Sequence, residues 1–427
     1  MAGPLRMDTK RLIPILLIIF TNILGAGVIL PILPLYAEGQ FGGSILQITL
    51  LASAFFGAQF LAAPWLGRLS DRYGRRPVLI LSQVGTVAAF ILFIYAGELG
   101  SHLDSLGITL PMTGGMFMLF VARTLDGITG GNITTAQAYI SDITPTEKRA
   151  QGLGMLQAAF GAGFIFGPAF GGVLSNYGAA VPFIGATIIT TITLLLTIFT
   201  LKESLPAEDR VEKSAKGKSS PLLPWSAILS EPALVLILLI GFTGSLAFSA
   251  LPATFALYAN HVILADAIHP ERIQLYIGLM LTFNGLIQVL TQITLLRRLV
   301  ERFGERNLLM LGQASIALAL FGLAAATTAL VATLFFAPFA FGFGVSEPST
   351  QSLVTRFGSQ RSRGYLLGLY QSARSLALII GPIWAGYTYQ NFSPASVYSV
   401  GGTIMLVSFI GAIYLRRLPI REIVSEE

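Results

Sequence analysis

The chain has 427 residues, of which 54% are hydrophobic and 11% charged, with 45 Gly, no Cys and a net charge of +6. Soluble domains carry about 25% charged residues, so this chain cannot cover a water-facing surface of its size. Soluble enzymes, nucleic-acid binders and disordered chains are excluded together, and the lack of Cys removes disulfides, thiolate metal sites and Cys nucleophiles.

Crossing a bilayer takes about 20 mostly apolar residues, and the sequence predicts twelve such spans. The first, 12–37, is too long for a signal-peptide core and has no small-residue cleavage site, so it counts as a span. It carries Asn22 ahead of Gly27, Pro31 and Pro34. Span two, 44–66, runs into the basic loop Gly67-Arg68-Leu69-Ser70-Asp71-Arg72-Tyr73-Gly74-Arg75-Arg76, and span three covers 77–98. After a long outside loop, span four, 115–140, holds Arg123, Asp126, Asn132 and Gln137, with Asp142 at its inner end. Span five, 150–174, contains Gly163, Gly167, Pro168, Gly171 and Gly172; span six is 179–201. A polar stretch without apolar period follows and reads as a solvated linker over 203–230. Spans seven to twelve cover 233–259, 273–296, 307–327, 330–355, 364–388 and 396–415. Asn284 and Gln288 lie in span eight, Glu347 and Gln351 in span ten, and Gln371, Arg374, Gly381 and Pro382 in span eleven.

With the N-terminus inside, 24 of the 27 Lys and Arg fall in inside segments, Arg272 alone falls in an outside loop, and Arg123 and Arg374 lie within spans. That asymmetry sets the orientation, with both termini cytoplasmic. The two halves repeat. Residues 69–76 match 299–306 at an offset of 230, and Arg149, Gly154, Gln157, Gly167 and Pro168 match Arg363, Gly368, Gln371, Gly381 and Pro382 at an offset of 214. The expected fold is an all-α membrane protein of twelve transmembrane helices in two pseudo-symmetric six-helix bundles, 1–202 and 231–427. Parallel repeats of this kind place a substrate site between halves near the midplane.

Ionisable groups inside a span cost roughly 2.5–3.5 kcal/mol on insertion scales and are seldom idle. Arg123 and Asp126, three residues apart, share one helix face and can pair. Asp126 is either a proton carrier or a static neutralising partner. Glu347 precedes Pro348, and either couples protons or substrate or forms a structural pair with Arg374. Asn22, Asn132, Gln137, Asn284, Gln288, Gln351 and Gln371 are polar candidates for a substrate cavity, each equally able to hold helices together. Gly163, Gly167 and Gly171 form a small-residue stripe that permits close helix approach, and Pro168 can kink the helix. The three His are far apart, no metal-ligand spacing occurs, and neither a Walker loop nor a Gly-x-Ser-x-Gly element is present.

Residues 67–76 resemble the loop between spans two and three of the major facilitator superfamily. The run 163–172 resembles the span-five motif of its proton-coupled drug antiporters, and Arg123-Thr124-Leu125-Asp126-Gly127 sits where that group has an Arg followed by Gly. The whole chain is similar to the twelve-span drug:proton antiporters, in particular the tetracycline-antiporter-like branch. The resemblance implies a conformational lock of Gly67, Asp71, Arg72, Gly74, Arg75, Arg76 and Asp142, in which Asp71 accepts from the N-terminus of span eleven near Gly364 and Arg75 pairs with Asp142. The alternative is that these charges only fix topology. It also implies a packing hinge at Gly163, Gly167, Pro168, Gly171 and Gly172, partly echoed by Gly381 and Pro382. The tetracycline antiporters carry a carboxylate where this chain has Asn22, and another in span three near Ala89 and Phe90. That departure weakens tetracycline as substrate and moves a proton site toward Asp126 and Glu347.

The expected function is a proton-coupled secondary transporter exporting small lipophilic organic compounds by alternating access from the cell (inner) membrane. An importer of a sugar, organic acid or lipid-like solute is the runner-up, and a non-transporting receptor or scaffold is the alternative of another class. No enzyme activity, cofactor, metal or nucleic-acid partner is expected. The expected partners are a small-molecule substrate, protons and the bilayer, with the chain a monomer.

Overall fold

A computed structural model of the chain describes residues 9–107, 110–145, 148–206, 208, 210, 225–266, 269–358 and 362–420. Arg6, Lys213, Lys216, Lys218, Arg361 and Arg421 of the orientation argument lie outside the described residues, as does most of the expected linker.

The first half comprises α1 (Thr9–Phe41), α2 (Ile45–Tyr73), α3 (Arg75–Ile94), α4 (Ala96–Ser105), α5 (Gly114–Thr129), α6 (Asn132–Ile143), α7 (Arg149–Ser175) and α8 (Val181–Thr200). The remainder comprises α9 (Trp225–Leu229), α10 (Pro232–Tyr258), α11 (Ile273–Leu290), α12 (Leu296–Phe303), α13 (Glu305–Ala324), α14 (Ala329–Thr355), α15 (Arg363–Asn391) and α16 (Ser396–Leu415). No strand occurs among the described residues. Caps fix several starts. Ser44 and Gln47 form a reciprocal capping box on α2, and Thr113 and Thr328 accept from the amides of Met116 and Val331.

Among the described residues, eleven helical runs are long and apolar enough to cross a membrane. The expected span 115–140 supplies the twelfth, but as two shorter helices, α5 and α6, interrupted at Gly130 and Gly131. Span eight is longer than its apolar run suggests: α11 continues through a π turn, Thr291–Leu295, into α12. The loop after span three contains α4, whose Gly100 packs against the backbone of Gly114 and Gly115.

The described chain divides into two compact units, Met1–Gly217 with Glu271–Thr282, and Lys218–Pro270 with Phe283–Glu427. Within unit 1, α1 packs on α7 and α8, and α3 on α5 and α8. Within unit 2, α10 packs correspondingly on α15 and α16, and α13 on α14 and α16. Their apolar cores repeat with the sequence. Leu79, Tyr139, Ile140, Leu156 and Leu201 form one buried cluster. Leu309, Leu353, Val354, Tyr370 and Leu415, at the same offsets of 230 and 214, form the other. Side chains such as Ile192, Phe199, Leu318 and Leu334 remain exposed, as lipid-facing positions require, because hydrocarbon solvates them as well as a core does.

Candidate functional site

The basic loop after α2 reverses at Gly74, whose φ of +105 lies where a Cβ would be strained. The reversal brings the buried Arg75 side chain into a polar network. Its guanidinium meets Asp71 at 2.7 Å, Asp142 at 3.1 Å and the Ser70 hydroxyl at 2.8 Å. The predicted Arg75–Asp142 contact is therefore formed, within unit 1. Arg76 donates to the Ile198 carbonyl at 2.6 Å, and Arg72 stacks 5.4 Å from the Tyr73 ring. Gly67 faces open space.

Glu203, to which the sequence assigned nothing, completes this network. Its carboxylate accepts from the amides of Arg75 at 2.8 Å and Arg76 at 3.2 Å, the first turn of α3. It also accepts from Ser204 and Leu205. The Ser204 hydroxyl donates to Asp142. The free amides and positive dipole end of α3 are thus neutralised by the chain leaving α8. No local signal marks Glu203, which lies 128 residues from Arg75.

In span four, Arg123 and Asp126 are 8% and 6% exposed and pair at 3.3 Å. The pair lies inside the bundle: the Arg123 guanidinium sits 4.3 Å from the Phe55 ring centroid of α2. Just beyond it the helix breaks. Continuing the ladder is not needed there, because side chains take up freed carbonyls: Gln59 donates to Gly130 O at 2.9 Å, and Ser82 donates to Thr129 O. Interrupted helices at membrane depth are tolerated where neighbouring groups satisfy the backbone in this way. Gly127 and Gly85 permit the approach, since a Cβ would strike the Phe55 carbonyl and the Thr129 side chain respectively.

In unit 2, Glu347 and Arg374 meet at 2.6 Å across α14 and α15. Gln351 donates to Glu347 Oε1 at 2.8 Å, the Tyr370 hydroxyl donates to Oε2 at 3.1 Å, and Arg374 also donates to the Ser245 hydroxyl at 3.3 Å. Glu347 is therefore not a lone carboxylate. Tyr370 and Ser245 are further partners, and no charge or motif marks either of them in the sequence.

The remaining candidates scatter. Asn132 and Asn284 are buried, Gln288 is half-buried, and Gln137 and Gln371 are exposed. Both amide atoms of Asn22 are buried without a hydrogen-bond partner. The glycine stripe of α7 faces α1: a Cβ at Gly163 would lie 2.6 Å from the Phe20 carbonyl, and one at Gly167 would lie 2.7 Å from Gly27 Cα. Gly171 faces Val28, while Gly172 faces Gln274 and Leu275 of α11. In unit 2, Gly381 of α15 packs on Ser249 of α10, and Pro382 beside it is buried. Among the described residues no cluster of three or more His, Asp or Glu is arranged to hold a metal.

Comparison with known proteins places these features in a family. Residues 15–265 and 263–426 match the sequence model of the Major Facilitator Superfamily. The chain is 29% identical over 414 residues to the tetracycline resistance protein, class C, of Escherichia coli, covering 96% of each chain. It is 28% identical over 375 residues to multidrug resistance protein 2 of Bacillus subtilis (strain 168), covering 87% of this chain and 86% of that one. The fold is similar to that of a D-xylose-proton symporter, with a TM-score of 0.72, 17% identity and coverage of 97% and 99%.

Proposed function

The chain belongs to the major facilitator superfamily, a family of multi-pass membrane transporters, and from that premise we propose that it exports small lipophilic organic compounds in exchange for protons. Resistance proteins similar along nearly the whole chain support the direction and substrate class. They also support a place in a bacterial inner membrane, and the Lys and Arg distribution supports cytoplasmic termini.

The observation that carries the coupling is the Glu347–Arg374 pair with its Tyr370 and Gln351 partners. A span-embedded carboxylate held by an Arg has two stable conditions: charged and paired, or protonated with the Arg released to other acceptors. A transporter needs such a switch. Binding of substrate in one conformation and of a proton in the other shifts the equilibrium only by the difference in affinity between the two. Asp126 with Arg123 is a second embedded pair of the same chemistry. The cytoplasmic network around Arg75 biases the same equilibrium, so its loss alters rates more than binding. Both membrane potential and pH gradient drive the exchange, each 100 mV contributing about 2.3 kcal/mol per charge moved.

Inverted membrane vesicles test the proposal, with tetracycline and a panel of lipophilic dyes as probes. Export is expected as inward accumulation that collapses with a protonophore. Accumulation of no probe, or accumulation indifferent to the protonophore and to Glu347→Gln, overturns it.

A further inference from the structure

Unit 2 holds a small, partly open cavity beside Glu347. Its volume of about 20 Å³ is room for one water molecule. Polar groups on four helices line it: Ser245 of α10, Gln313 of α13, Ser346, Glu347 and Thr350 of α14, and Tyr370 of α15. Two of these carry unmatched polar atoms. Gln313 Oε1 and Ser346 Oγ have no hydrogen-bond partner in the protein, and their side chains are 2% and 7% exposed. Leaving such atoms unpaired in a core costs about as much as a lost hydrogen bond each. Gly244 of α10 borders the space without a side chain, and a Cβ there would meet nothing within 4 Å.

The repeat carries the same feature twice. Gln313 stands 230 residues after Gln83, the offset that relates the first and second halves at this point. Gln83 is fully buried in unit 1, and neither of its amide atoms has a hydrogen-bond partner.

We infer that this cavity is a hydration site at which one ordered water, held by Gln313 and Ser346, serves Glu347 in both of its protonation states. The inference rests on the proposed coupling role of Glu347. With Glu347 charged, the water donates one hydrogen to Gln313 Oε1 and the other to the carboxylate, and it accepts from the Ser346 hydroxyl. That gives three hydrogen bonds, the usual number for a buried water. With Glu347 protonated, its O–H donates to the water, which keeps its bond to Gln313 and donates its other hydrogen to Ser346. Both the water and the hydroxyl reverse direction; an amide or a backbone group in their place cannot. The charged and titratable groups facing Glu347 are Arg374 and Tyr370 of α15. To the cavity, α10 and α13 contribute only hydroxyl, amide, glycine and apolar groups. Gln313 is thus a positioning residue, acting on the carboxylate through water.

The test combines a structural and a functional readout. X-ray radiolytic hydroxyl labelling marks side chains beside internal water. Tyr370 is 2% exposed and Tyr398 is 1% exposed, so equal labelling is expected from exposure alone. The inference predicts Tyr370 labelling several-fold above Tyr398, reduced toward the Tyr398 level in Gly244→Ala, whose methyl narrows the space without striking a neighbour or removing a polar group. It also predicts that Gly244→Ala and Gln313→Leu slow substrate-driven proton release and shift its pH profile. A loss of about tenfold is expected from one hydrogen bond to a charged group, with Tm held or raised in Gly244→Ala. Equal labelling of the two tyrosines overturns the hydration site. Labelling as predicted with unchanged proton release and pH profile in both variants overturns its role. If Glu347→Gln leaves coupling intact while Tyr370 is still labelled, the coupling proposal falls and the water site stands.

Discussion

Replacing Glu203 by Ala tests whether the chain leaving α8 holds the N-terminal end of α3. The carboxylate, 22% exposed, accepts four backbone amides, two of them from the first turn of α3. Loss of an N-terminal capping acceptor costs about 0.5–2 kcal/mol, and an anion at a helix N-terminus contributes about 0.3–1 kcal/mol more. Since the site borders water, part of this is recovered by solvation, and the expected loss is about 1–2 kcal/mol. For a unit of this size that lowers Tm by roughly 2–8 °C, read from the fluorescence of the native tryptophans in detergent. Glu203→Gln keeps one acceptor and loses the charge, so it falls between wild type and Ala. The Arg210 contact, at 3.9 Å, is a loose ion pair and contributes little, so Arg210→Ala leaves Tm unchanged. A Glu203→Ala protein as stable as wild type, or an Arg210→Ala effect equal to it, refutes the capping argument.

Gly167→Ala drives a methyl into the Gly27 backbone, and overpacking of this kind costs about 1–3 kcal/mol. Gly154→Ala on the same helix meets open space and leaves stability unchanged, so equal melting curves for the two variants contradict the account of the stripe. Arg123→Gln strands the buried Asp126 and destabilises by about 3–5 kcal/mol, whereas Arg123→Gln with Asp126→Asn recovers much of that; a double-mutant cycle of chemical denaturation checks the recovery. Gln59→Leu leaves the Gly130 carbonyl at the α5–α6 break without its side-chain donor and costs about 1–3 kcal/mol. Faster amide exchange confined to residues near the break is its expected signature in hydrogen-exchange mass spectrometry, and uniform exchange argues against it.

Much of the fold is legible in the sequence because a bilayer imposes simple rules. A span must be apolar over its full length, and the basic residues between spans set the orientation, so twelve runs emerge from hydropathy alone. The offsets of 230 and 214 relate five residues of one buried cluster to five of the other. The break in span four escapes this reading although Gly130 and Gly131 are visible. Hydropathy averages over the whole run, and the groups that make a break tolerable, Gln59 and Ser82, come from other spans. The Arg123–Asp126 pair is local, three residues apart on one helix, and follows from spacing. The Glu347–Arg374 contact joins adjacent spans, and the sequence offers it only as one of two possibilities. Glu203 acts on Arg75, 128 positions away, and the water we infer would link Gln313 to Glu347, 34 positions on; no period or motif marks relations so distant.

Proton release from the purified protein tests the central claim most directly. The account predicts that adding a transported probe to protein in weakly buffered detergent acidifies the solution in proportion to the protein present. Glu347→Gln should reduce the signal sharply while probe binding persists. Saturable probe binding without any proton release across the pH range of transport contradicts it.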